Sequence, residues 1–225
     1  MYLIVKIILD KYIHLEYNMY MDVKKEGDIM NNLEKIKSLV EENNGILYVK
    51  ELKKHNIHRQ YLKILEEQGY LIRVIKGLYV KYDKDINEFF IMGERYKSGI
   101  FSHNTALYFY NLTDRTPMSL DMTFPSTIRI NNDEASIAPH YIKKENHLLG
   151  ATTLNLEDGT TIRIYDLERT ICDIIRDRNK LDPQIFNNAM KEYFKLPKRN
   201  LNLLYKYAKK LKIDKILKQY MEVLD

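Results

Sequence analysis

The stretch that most constrains this chain is residues 56–80, NIHRQYLKILEEQGYLIRVIKGLYV. From His58 onward Leu62 and Leu65 recur at helical spacing, flanked by Tyr61. Arg59, Gln60, Lys63 and Ile64 fall on the opposite arc, so this is a short amphipathic helix. With His58 as N-cap, Ile57 and Leu62 stand where a hydrophobic staple closes a helix start. Gly69 stops the helix. Residues 70–74 and 78–82 are β-rich, and Gly77 supplies the permissive turn between them.

The residues just upstream complete the pattern. Leu33, Ile36, Leu39 and Val40 give 31–43 a helical period, and Gly45 follows as a stop. Ile46-Leu47 suit a short strand, and Val49 and Leu52 a second short helix ending near His55-Asn56. Helix, strand, helix, helix and hairpin in this order make a winged helix-turn-helix. Its third helix is the element that enters the DNA major groove, where base edges are distinguishable.

In that reading Arg59 suits guanine and Gln60 adenine, both by bidentate pairing, with His58 beside them at the helix start. Lys63 and the wing residues Arg73 and Lys76 suit phosphates, which position a protein without specifying sequence. Glu66 and Glu67 repel phosphate, so only the first half of the helix is expected in the groove. The competing reading is a winged domain that meets other proteins through the same solvated residues.

Beyond residue 83 the pattern changes. A polar run at 81–85 reads as a linker. Helices are expected at 86–96 and 103–111, the second capped by Ser102. Short β-rich runs follow at 120–124, 127–130, 137–142, 152–156 and 161–165. The Asp158-Gly159 hairpin signal suggests a mostly antiparallel sheet. Asp166 caps another helix, with Leu167, Ile171, Ile174 and Ile175 on one face and Arg169, Asp173 and Arg176 on the other. Two or three helices fill 183–224. The expected class is therefore α+β: a winged domain at 30–83, then a mixed α/β domain at 84–225 with C-terminal helices.

Composition limits the partners. The chain has 225 residues, 45% hydrophobic and 30% charged, enough for a packed core without disorder. Its net charge of +5 suits nucleic acid without requiring it. Cys172 is the only cysteine, which excludes an internal disulfide and points to a reducing, cytoplasmic compartment. The longest apolar run, 2–9, is broken by Lys6 and far shorter than the roughly 20 residues of a membrane span. Residues 25–27, Lys-Glu-Gly, are what a ribosome-binding sequence would encode, two residues before Met30. Residues 1–29 are thus read as an extension upstream of a natural start at Met30, the alternative being an extra helix or strand.

Enzyme chemistry finds little support. His14, His55, His58, His103, His140 and His147 are scattered without metal-ligand spacing, so no metal or cofactor is expected. Ser102-His103 is adjacent in sequence, but Ser before a helix is more often a cap than a nucleophile. Asp121, Glu157, Asp158 and Asp173 lack nuclease spacing. Past Lys180 the chain is rich in lysine, including Lys209 and Lys210. Its plain reading is a solvated helix face, its sharper one a surface for DNA or an acidic partner. Arg169 and Asp173, four apart, read either as an intrahelical pair or as a polar surface for a partner.

These pieces resemble, in their order, the AbiEi family of antitoxins from bacterial abortive-infection toxin–antitoxin pairs. The resemblance covers about 30–224. It rests on the winged segment, with its G-x-L-x-R-x-x-x-G-x-Y wing from Gly69 to Tyr79. It rests further on SHNTALYFYNLTD, the TFP run and DGTTIRIYDLERTICDII, where Glu168-Arg169-Thr170 to Asp173 is the most specific element. Tyr48 and His58 depart from the small polar residues usual at the helix starts. The resemblance implies a non-enzymatic autorepressor, monomeric in solution, that binds inverted repeats in its promoter. It also implies neutralisation of a cognate nucleotidyltransferase-like toxin. The rival without the resemblance is a plain winged-helix regulator or, more remotely, a DNA-targeted nuclease.

Overall fold

The computed structural model describes residues 27–130 and 136–224. The chain divides into two compact units, one ending at Asp85 and one beginning at Ile86. Residues 1–26 of the expected extension lie outside the described residues. Residues 27–29 continue the first helix, α1, which spans 27–42.

In the first unit α1 leads to β1 (Ile46–Tyr48), α2 (Val49–Lys54), α3 (Gln60–Glu67) and the hairpin β2 (Leu71–Ile75) and β3 (Leu78–Lys81). The sheet has the order β1-β3-β2 and is antiparallel throughout. Leu33, Ile36, Val40, Leu47, Leu52, Ile57, Leu62, Leu65 and Leu71 form its core. The helical and strand periods of the sequence thus converge on one interior, as amphipathic elements require. Gly77 at the β2–β3 turn has φ +90°, a left-handed conformation natural to glycine, and its carbonyl accepts from the Val49 amide at 3.0 Å. Lys81 bonds Glu41 at 2.9 Å, tying β3 to α1, and holds that exposed carboxyl below its usual range.

α3 begins at Gln60, one residue later than an N-cap at His58 would place it. Arg59 takes the N-cap position with no side-chain cap, while His58 Nδ1 accepts from the Gln60 amide at 3.2 Å. His58 therefore supports the helix start from one position further out. Tyr48, at the N-cap of α2, makes no cap bond with its side chain, and Lys50 lies 4.8 Å over its ring.

The second unit runs α4 (Glu88–Arg95), β4 (Ile100–Phe101), α5 (His103–Phe109), β5 (Leu120–Pro125), β6 (Ile137–Ile142), α6 (Lys144–His147), β7 (Ala151–Asn155), β8 (Thr161–Tyr165) and α7 (Leu167–Arg176). After a 3-10 turn at Arg178–Lys180 come α8 (Pro183–Lys195), α9 (Leu201–Leu211) and α10 (Asp214–Leu224). The fold is α+β. Its sheet, ordered β6-β5-β4-β8-β7, is mixed rather than mostly antiparallel. The β7–β8 hairpin and β4–β5 are antiparallel, but β5–β6 and β4–β8 are parallel. The hairpin signal at Asp158-Gly159 governs its own two strands and says nothing of the longer connections. Residues 127–130, expected as a strand, instead begin in a turn in which the Ile128 amide bonds the Pro125 carbonyl at 3.0 Å. α7 packs against α5, α8 and α9, burying Ile171, Cys172, Ile174 and Ile175 completely.

Candidate nucleic-acid interface

The first unit presents its charged residues outward. The spacing that buries Leu62 and Leu65 of α3 leaves Gln60 and Lys63 exposed, and Arg59 and His58 are exposed at its start. Arg73 on β2 and Lys76 in the β2–β3 turn are exposed as well. All six side chains named from the sequence are thus available to solvent, within two elements adjacent in the chain. Glu66 and Glu67 are also exposed at the far end of α3, and Lys63 lies 3.7 Å from Glu67. That surface pair is weak and leaves the lysine free to reach a phosphate. Sequence reading passed over Lys50, Lys53 and Lys54 on α2, all exposed. Their signal was present: they are the positions that the single buried residue of α2, Leu52, leaves outside.

The second unit corrects the partner-binding assignment. Lys209 and Lys210 are exposed near the end of α9, Lys209 with its ammonium 4.7 Å over the Tyr205 ring. Arg169 and Asp173, by contrast, are wholly buried, so neither side chain offers a surface to a partner. Arg169 Nε bonds Asp173 at 3.1 Å, and its Nη1 donates to the carbonyls of Asn146 (2.9 Å) and Leu149 (2.6 Å). The guanidinium lies 4.0 Å over the Tyr165 ring. Asp173 meets Arg176 at 2.8 Å without hydrogen-bond alignment, a coulombic contact.

The neighbouring motif residues serve the same joint. Asp166 caps α7 by accepting from the Arg169 amide at 2.8 Å and also accepts from Tyr207 at 2.8 Å. Burial raises the Asp166 carboxyl, against the pull of these bonds. Glu168 accepts from the Asn200 amide at 2.8 Å. The most specific run of the sequence is therefore an architectural knot joining β8, α7, α9 and the segment 146–149. The face it was given from the helical period is polar but interior, because the segment 146–149 and the Tyr165 ring of β8 cover Arg169 there.

Nor do the other suspected groups assemble as a nuclease. Asp121 pairs with His140, Asp158 accepts from the Asn87 and Thr160 amides, and Asp173 is spent on arginines. Ser102 stands at the N-cap of α5 but makes no cap bond. Its hydroxyl lies 2.9 Å from His103 Nδ1 and accepts from Thr123 at 2.8 Å. Ser102, His103 and Asp177 have the bonding order of a hydrolytic triad, yet Ser102 and His103 are fully buried and no carbonyl can approach. Among the described residues no helix is long and apolar enough to cross a membrane.

Comparison with known proteins agrees with the geometry of the first unit. Residues 34–80 match the family model described as "Transcriptional regulator, AbiEi antitoxin". That match begins in α1 and ends in β3, spanning the helices and hairpin that carry all six residues. The fold is similar to the crystal structure of the RV2827C protein from Mycobacterium tuberculosis, at 12% identity and a TM-score of 0.54, over 77% of this chain and 69% of that one. At this identity the likeness concerns the fold alone. No curated protein matches the chain significantly. Over residues 34–80, then, this chain is similar to the family of AbiEi-antitoxin transcriptional regulators.

Proposed function

We propose that the protein is an antitoxin-type transcriptional repressor that binds inverted repeats in duplex DNA through a winged domain at 30–83 and neutralises a cognate nucleotidyltransferase-like toxin through the domain at 84–225. The observation that carries the DNA reading is the solvent exposure of His58, Arg59, Gln60, Lys63, Arg73 and Lys76 on the start of α3 and the following hairpin. Arg59 and Gln60 read base edges, because a planar donor fork or an amide matches the two-point pattern of a purine edge. Lys63, Arg73, Lys76 and the α2 lysines neutralise phosphates. The toxin half rests on the family match and on the exposed basic end of α9, where Lys209 and Lys210 face solvent.

Promoter binding by the full chain tests the first half. Arg59→Ala should cost about 1–3 kcal/mol on the operator and relax selectivity at one base pair. Lys76→Ala should weaken binding to every sequence and lower the salt slope by about one unit. Unchanged affinity in both variants sinks the docking. For the second half, co-expression with the product of the adjoining gene should relieve growth arrest. Failure to relieve it leaves a plain DNA-binding regulator.

A further inference from the structure

The sequence offers no metal motif, but the tertiary fold assembles one. His103 at the start of α5, His140 on β6 and Asp177 just past α7 place three donor atoms within 4.8 Å of one another. Each comes from a different element, so no local spacing announces the group. Asp121 on β5 lies 2.6 Å from His140 Nε2 through its Oδ1. We propose that His103, His140 and Asp177 bind one zinc-class divalent ion, with Asp121 as the carboxylate partner that orients His140.

The donor set selects the ion. Two imidazole nitrogens with a carboxylate oxygen suit zinc and its first-row neighbours; magnesium and calcium prefer oxygen alone. His103 Nε2 stands 3.1 Å from Asp177 Oδ2. Ligand atoms about 2.0–2.1 Å from a tetrahedral ion lie roughly 3.3 Å apart, so this edge is already close to the required length. The metal would take the place of the proton now shared along it.

His103 is held as a metal ligand is held. Its backbone adopts φ +44°, a strained conformation for a residue with a Cβ. Its Nδ1 faces Ser102 Oγ at 2.9 Å, and Thr123 Oγ1 lies 2.8 Å further on. These hydroxyls can reverse their hydrogen bonds. Nδ1 can accept when Nε2 carries the proton, or donate when Nε2 binds a metal, which is the outer-shell arrangement that orients ligating histidines.

One movement is needed. His103 and His140 stack with centroids 3.6 Å apart and 13° between planes, so their in-plane lone pairs run side by side. His140 must turn to converge on the ion. It lies on β6, an edge strand, and its side chain is 22% exposed, which provides the room and the entry path. Asp177 Oδ2 also contacts Arg176 at 3.2 Å and Oδ1 contacts Lys180 at 3.0 Å. Arg176 retains Asp173 when displaced, and the Lys180 side chain, 79% exposed, can swing into solvent.

The test uses the full chain, stripped with chelator and titrated with Co2+ and Zn2+. The expected result is one equivalent of Co2+ giving visible absorption of tetrahedral intensity, displaced by Zn2+, with a rise in Tm. His140→Ala and Asp177→Asn should each weaken binding more than about tenfold. His55→Ala, an exposed histidine of the first unit, should leave it unchanged. Circular dichroism checks that each variant is folded. If a ligand variant fails to fold, the wild-type cobalt spectrum decides alone. Absence of the tetrahedral spectrum in wild type, or wild-type affinity in folded His140→Ala and Asp177→Asn, overturns the proposal.

Discussion

Asp173→Ala should be among the most damaging single substitutions in the second unit, and the structure sets its size. Arg169 and Asp173 are wholly buried, and Asp173 supplies the carboxylate within 3.1 Å of Arg169. The carbonyls of Asn146 and Leu149 solvate the guanidinium but do not neutralise it. Breaking a buried pair by removing one member leaves an uncompensated charge and costs about 3–5 kcal/mol. In a unit of this size that is a fall of roughly 10–15 °C in Tm. The assay is urea unfolding of the full chain by circular dichroism, with hydrogen exchange of α7 peptides to assign the loss to the second unit. Arg169→Met/Asp173→Leu removes both charges and should be less destabilised than the two single losses summed, although the two carbonyls then lose their donor. A loss below about 1 kcal/mol for Asp173→Ala, or simple additivity in the double variant, would refute the claim that α7 is built around a buried ion pair.

Three further outcomes follow from other sites. A Cβ on Gly150 would stand 2.5 Å from the Arg169 Cβ at a backbone φ of +74°. Gly150→Ala should therefore cost more than about 1 kcal/mol in urea unfolding, and a neutral result would mean that segment 149–151 shifts freely. Burial holds the His147 pKa below its ordinary value, against the pull of its bond to the Thr123 carbonyl. The unfolded chain then takes up the proton first: stability is full above the unfolded value near 6.5 and falls as pH drops through it, by at most about 1.4 kcal/mol per unit for this group. His147→Gln should flatten that part of the stability–pH curve, and an unchanged slope would remove His147 as its source. Replacing Glu66 and Glu67 together with glutamine should strengthen binding to random duplex DNA at low salt if the end of α3 faces phosphates; unaltered binding would place that end away from the duplex.

Much of the first unit was legible because its signals are local. The period of Leu62 and Leu65, the stop at Gly69 and the turn at Gly77 each act within a few residues, and all the elements they predict are present. The exposure of Arg59, Gln60 and Lys63 follows from the same period, since burying one helix face commits the other to water. Even here a detail escaped: the helix starts at Gln60, because His58 satisfies the Gln60 amide from outside rather than as the N-cap.

The second unit shows where that kind of reading ends. The sequence alone determined the α+β class, the β7–β8 hairpin, the Asp166 cap of α7 and the apolar face of Ile171, Ile174 and Ile175, all consequences of short-range periodicity, turn chemistry and capping. Tertiary structure decided which strands became parallel neighbours, that α7 is covered on both sides, and therefore that Arg169 and Asp173 are interior rather than surface. It also brought His103, His140 and Asp177 together across segments far apart in the chain. The reason is physical: a period reports which residues share a face, whereas burial and convergence depend on what packs against that face, a property of contacts that the local sequence does not contain.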